Sequence, residues 1–107
     1  MTTSDYEAGD LDAVDIGQVL RALGEPVRLA IVRKLADGQA HAKSIEEWDL
    51  GMQKSALSHH FRALRLLGLT EVIVTGRSHA IRLRRDEIDR RFPGLLDAVL
   101  HAPQPTR

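Results

Sequence analysis

Between residues 53 and 62 the chain reads Gln-Lys-Ser-Ala-Leu-Ser-His-His-Phe-Arg, a run dense in hydrogen-bond donors. Gln53, Lys54, Ser55, Ser58, His59 and Arg62 carry amide, ammonium, hydroxyl, imidazole and guanidinium groups, which suit base edges and phosphate oxygens. Other chemistries fit the run poorly. His59 and His60 are neighbours, and adjacent helical positions diverge by about 100°, so they do not converge on one metal ion. Ser58 and His59 fail as a nucleophile–base pair for the same reason, and no oxyanion feature accompanies them. The chain has no cysteine, which removes disulfides, thiolate metal sites and thiol nucleophiles. Asp97 and His101 stand one helical turn apart and could share a metal ion, but two ligands are half a site. Completing it would need the partner's Asp86 or Asp89. A histidine beside a carboxylate near a helix C-terminus is more often a dipole-stabilised surface pair, so no metal site and no cofactor is assigned. Clustered carboxylates, a phosphate-binding loop and a nucleophile constellation are all missing, and the chain does not read as an enzyme.

Charge supports an anionic partner only when it is read locally. Fifteen bases and fifteen acids cancel over the whole chain. Residues 1–25 hold six acids against one base (−5), whereas residues 53–85 hold seven bases against one acid (+6). Attraction depends on the local field, so a polyanion would dock on the second segment. The acidic stretch from Asp5 to Asp15 reads as a solvated helix face and tail; in a dimer it could also neutralise or steer the basic face.

The elements that must position these groups follow from periodicity. With 107 residues, 43% apolar and 28% charged, the chain makes one ordinary globular domain. Residues 1–10 read as a flexible tail, 11–101 as the folded unit and 102–107 as a second flexible tail. Leu11, Val14, Ile16, Val19, Leu20 and Leu23 recur at helical spacing after Asp10 as N-cap, and Gly24 ends that helix. Pro26 suits the first turn of the next helix, whose stripe of Val27, Ile31 and Leu35 makes it central to the core. Ser44-Ile45-Glu46-Glu47 has the form of a capping box opening a short helix anchored by Ile45 and Trp48, the latter read as core. A longer helix is predicted from about Gln53 to Leu67, with Leu57, Phe61, Leu64 and Leu67 inward and Gly68 past its end. His60 flanks that stripe and reads as a packed or capping histidine.

The period then switches to that of strands. Thr70–Thr75 and Ser78–Arg84 flank a Gly76-Arg77 turn, a hairpin with Arg77, Ser78 and His79 at its tip and Arg82 and Arg84 behind as possible phosphate contacts. His41 and His79 are expected without partners in loops. A last helix starts near Asp86, and Pro93-Gly94 must kink or split it. The pattern is mainly α, a winged helix-turn-helix with one two-stranded β-hairpin wing. Its polar helix is narrow enough for the major groove, where N-terminal residues of such helices meet base edges. Neither half of the remaining apolar surface, Leu11–Leu23 or Ile88–Leu100, can be covered by so small a core, which predicts a dimer. No apolar run is long enough for a membrane span and no secretory signal is visible, so a cytoplasmic location without membrane contact is expected.

The stretches RALGEPVRLAIVRKLADG (Arg21–Gly38) and LGMQKSALSHHFRALRLLGLT (Leu50–Thr70), with the hairpin after them, resemble the ArsR family of small bacterial winged-helix repressors. The resemblance covers nearly the whole chain. It implies a homodimer packed through its first and last helices, which represses transcription from double-stranded DNA until an effector loosens it. It also implies Gln53, Lys54, Ser55, Ser58, His59 and Arg62 as the recognition set and Arg77 as the wing contact. Three departures stand out. Founding members sense metal through cysteines, which this chain lacks. Others use histidines and carboxylates at both ends of the last helix, where this chain has Ile88 and Arg90 near the start. Position 53, often a serine N-cap, is glutamine. The effector is therefore unidentified, and a module that binds a protein partner instead of DNA is the alternative reading.

Overall fold

The computed structural model describes residues 6–44, 47, 48, 50–103 and 105. Among the described residues five α-helices and a small antiparallel sheet follow one another as α1 (Ile16–Leu23), α2 (Pro26–Lys34), β1 (His41–Ala42), α3 (Lys54–Leu67), β2 (Thr70–Thr75), β3 (Ser78–Leu83), α4 (Arg85–Arg91) and α5 (Leu95–His101). The architecture is the mainly helical winged helix expected from the sequence, with one strand more.

The first apolar segment is not one helix. Leu11–Ala13 forms a 3₁₀ turn, with the Asp10 carboxylate accepting from the Asp12 N–H at 3.1 Å. Val14 then goes extended, and Asp15 caps a fresh helix. Its carboxylate accepts from the Gly17 N–H, while the Gln18 side chain accepts from the Asp15 N–H, both at 2.9 Å. This reciprocal cap outcompetes continuation from Leu11 because it satisfies donors at the helix start that would otherwise lack partners. Leu11 and Val14 still reach the core.

Pro26 opens α2 as its spacing predicted, and the Glu25 carboxylate accepts from the Arg28 N–H at 3.0 Å. Ile31, Val32 and Leu35 are buried against Leu57, Phe61 and Leu64 of α3 in a single core. The short helix expected at Ser44–Trp48 falls partly on residues 45 and 46, outside the described residues. Trp48 is core as expected, 2% exposed, with its indole N–H donating to the Ala42 carbonyl at 2.8 Å. Its ring meets Phe61 edge-on at 5.2 Å.

α3 ends at Gly68, whose φ of 89° is a conformation that other residues adopt only at a cost. The expected hairpin is present, paired from Thr70 opposite Leu83 to Thr75 opposite Ser78 around the Gly76-Arg77 turn. The third strand is an addition. His41 pairs with Ile81 and Ala42 with Ala80, so the sheet order is β1-β3-β2. A two-residue strand has no period for sequence reading to detect. The last helix is split, as Pro93-Gly94 required. Phe92 and Gly94, the latter at φ 84°, break it into α4 and α5, buried through Ile88 and Leu96. Ile16 and Leu20 of α1 are 40% and 52% exposed, an apolar edge that this chain alone leaves open to water. No helix among the described residues is long and apolar enough to cross a membrane.

Candidate nucleic-acid interface

α3 exposes its donors because its apolar positions are used elsewhere. Leu57, Phe61 and Leu64 turn inward, so Lys54, Ser55, Ser58, His59 and Arg62 are left on the open faces, all exposed. Gln53 is exposed at the N-cap and makes no side-chain capping bond there, consistent with an amide that competes less well than serine for that place. Arg77 is exposed in the hairpin turn.

The fold gathers some of these residues and separates others. Lys54 and Ser58, one turn apart, line a cleft of about 470 Å³ whose other walls are Ala42, Lys43 and Ser44 beside β1 and Ser78 and His79 of β3. Ser58 and Arg62 also line a smaller cavity of about 50 Å³, with Tyr6, Lys43 and Arg65. Ser55 and His59 stand on α3 outside both, and the His59 ring meets that of His60 at 5.7 Å. Lys43, and Ser44 beyond its expected capping role, are cleft groups that sequence reading did not single out, since β1 brings them there and β1 carries no visible signal. Lys43 lies with its ammonium 5.9 Å from the Phe61 ring centre. Burial, and then the charge of Arg65, hold its pKa below the ordinary lysine value.

Two hairpin bases do not behave as expected. Arg82 is bound to Glu71 by Nε and Nη2, at 3.2 and 3.1 Å. Arg84 donates from Nη1 to the carbonyls of Gly68 at 3.0 Å and Gly9 at 3.3 Å. Both are tied within the fold, so of the wing bases Arg77 is the one presented outward. His79 is not a loop residue but a strand residue opposite Val74, with the Tyr6 ring edge-on at 4.8 Å.

The remaining histidines separate cleanly. His60 is packed, as its place on the apolar flank predicted, with Nδ1 3.7 Å from Glu25. His41, expected without partners in a loop, lies on β1 between two carboxylates. Nε2 is 2.9 Å from Asp37 and Nδ1 3.0 Å from Glu47. The hydrogen bond His41 donates to the Asp37 carboxylate, with help from Glu47 and against the effect of burial, raises the His41 pKa above its ordinary value. Backbone donation from Gln39, followed by the bond to His41, lowers that of Asp37. His101 and Asp97 are an exposed pair 3.9 Å apart, and Ile88, at the other end of this region, is buried in the core. Among the described residues no group of three or more histidines and carboxylates could hold a metal ion.

Comparison with known proteins gives the same picture. Residues 25–72, which contain the whole of α2 and α3, match the model of the arsR family of bacterial regulatory proteins. The HTH-type transcriptional regulator NmtR of Mycobacterium tuberculosis is 35% identical over 89 residues, covering 83% of this chain and 70% of that protein. The HTH-type transcriptional regulator YceK of Bacillus subtilis is 31% identical, covering 77% of this chain and 83% of that one. Among solved structures, an ArsR-like transcriptional regulator from Rhodococcus sp. RHA1 superposes with a TM-score of 0.60 at 26% identity, over 71% of each chain. With a basic wing packed on a donor-rich helix, and relatives that span most of its length, the chain belongs to the ArsR family of winged-helix transcriptional regulators.

Proposed function

We propose that the chain represses transcription as a homodimer bound to an imperfect inverted repeat in double-stranded DNA, until an unidentified effector releases it. In this reading residues 11–101 are the DNA-binding and dimerisation domain of a cytoplasmic, non-enzymatic protein. Gln53, Lys54, Ser55, Ser58, His59 and Arg62 meet the major groove, and Arg77 meets the flanking backbone or minor groove. The observation that carries the reading is the exposure of all six α3 donors beside a cleft lined by Lys43, Lys54 and His79. Lys54 and Arg77 supply phosphate attraction and register, while Arg62, with Ser55, Ser58 and His59, reads bases.

Dimerisation has its own support. Leu20 and Leu23 of α1, Leu29 of α2 and Ala98 and Val99 of α5 line a shallow apolar depression of about 300 Å³. A second copy set against it would hide Leu20 and carry two α3 helices to successive major grooves, about 34 Å apart. With no cysteine in the chain, the effector does not act through thiolate ligands.

Selection of bound fragments from the source genome by the purified protein at physiological salt tests the reading. A few promoter fragments sharing an inverted repeat are expected. Recovery of random fragments, with affinity indifferent to sequence, would overturn it in favour of the protein-interaction alternative.

A further inference from the structure

We infer that the segment running from Tyr6 to Gly9, which carries the Glu7 carboxylate, is a strap that competes with DNA for the α3–wing surface, an inference that rests on α3 being the DNA-contacting helix. The segment is seated there by four contacts. The Tyr6 ring stands edge-on to His79 with centres 4.8 Å apart. Arg65 donates from Nη1 to the Glu7 carbonyl at 2.9 Å. The Gly9 N–H donates to the Arg65 carbonyl at 2.8 Å, and the Gly9 carbonyl accepts from Arg84 at 3.3 Å. This last crossing is possible only for glycine, because a Cβ at position 9 would lie 1.9 Å from the Leu66 carbonyl oxygen.

The seat matters more than the contacts themselves. Tyr6 shares a cavity with Ser58, Arg62 and Arg65, and it covers the histidine that walls the larger cleft beside Lys54. Phosphates approaching this edge of α3 would meet the exposed Glu7 carboxylate, and they would find an Arg65 donor already given to a carbonyl. Asp5 adds a second negative charge one residue before the strap. Displacing the strap frees the Arg65 donor and removes like charge from the path of the backbone. A bound strap therefore subtracts from DNA affinity by the same amount whatever the sequence, and salt weakens the strap as well as the phosphates that replace it.

Full-length protein, a variant lacking residues 2–7 and the charge-neutral double variant Asp5→Asn with Glu7→Gln would be titrated with a duplex of arbitrary sequence. Fluorescence anisotropy would read binding at 50, 100 and 200 mM salt. Ala8 and Gly9 are kept in the truncation so that the glycine crossing persists, and the neutral variant alters no backbone. The truncation is expected to bind about 5- to 10-fold more tightly at the lowest salt, and its log–log salt slope to steepen by about one, the effect of one more phosphate contact. The neutral variant is expected to show about a two- to three-fold gain. Unchanged affinity in both variants overturns the inference. Weaker binding also overturns it, and makes the segment an arm that touches DNA. If the full-length protein shows no salt-dependent DNA binding at all, the proposed function and the strap fail together.

Discussion

Lys54 and Arg62 of α3 and the inner bases of the wing, Arg82 and Arg84, come from one strongly positive stretch of chain, yet the fold treats them in opposite ways. Lys54 and Arg62 project from α3 and make no side-chain hydrogen bond or ion pair among the described residues. Arg84, just past β3, and Arg85 at the start of α4 donate inward, to the carbonyls of Gly68 and Gly9 and of Ala36, while Arg82 is held in a half-exposed cross-strand pair with Glu71. Local charge therefore locates a candidate surface but does not say which cations serve it. A guanidinium already satisfied by carbonyls fixes the wing to the body, whereas one left in water is available for counterion exchange with a polyanion.

Substitutions can break that contrast or sharpen it. The largest effect is expected at Arg62. Arg62→Ala should weaken binding to the selected operator by about 1–3 kcal/mol if Arg62 makes a bidentate guanine contact, with thermal stability unchanged. Indifference of binding to that change would remove Arg62 from the recognition set. Arg84→Ala should show the opposite profile. Loss of two carbonyl contacts from a half-buried guanidinium should cost about 1–2 kcal/mol of stability in urea unfolding, while affinity per folded molecule does not fall. A drop in affinity without a drop in stability would place Arg84 on DNA after all. Lys54→Ala should lower affinity evenly across sequences and reduce the salt slope by about one, which anisotropy at three salt concentrations would read.

The smallest expected effect concerns the histidines, which divide in the same way as the bases. His59 is exposed, while His41 is held by Asp37 and Glu47. His41 has a folded pKa raised above the unfolded value of about 6.5, so the stabilisation it brings is complete below that value. It fades as the pH rises through the higher folded value. Asp37, lowered from its ordinary value, loses its contribution at the other end, as the pH falls through its lower folded value. Urea midpoints should therefore decline from pH 6 to pH 8, and His41→Gln should flatten that decline. An equal decline in the variant would show that the bracket carries no linkage.

How legible each part was in the sequence follows from how local its cause is. Leu57, Phe61 and Leu64 repeat within one helix, and the alternation of Thr70–Thr75 and Ser78–Leu83 flanks a turn, so α3 and the hairpin could be read directly, and with them the exposed face of the candidate site. The reach of the Asp15 capping box was also local, but it competes with an apolar period that continues through Leu11 and Val14, and the period masked it. The ties of Arg84 and the seat of Tyr6 could not be read, because their partners lie dozens of residues away and are mostly backbone carbonyls, which carry no sequence signature. Lys43 reaches the cleft only because two residues before it pair with β3.

Gly68 is the sole tight bend between α3 and β2, and it is enclosed on every side. Its N–H returns to the last turn of α3, Leu69 donates back to Leu64, and Leu69 in turn accepts from Arg84 at the end of β3. These bonds tie the end of α3 to the start of β2 and the end of β3, so helix and wing are joined with no loop between them. In the proposed dimer, a signal arriving at α1 or α5 would act by altering the pitch between two such helix–wing units.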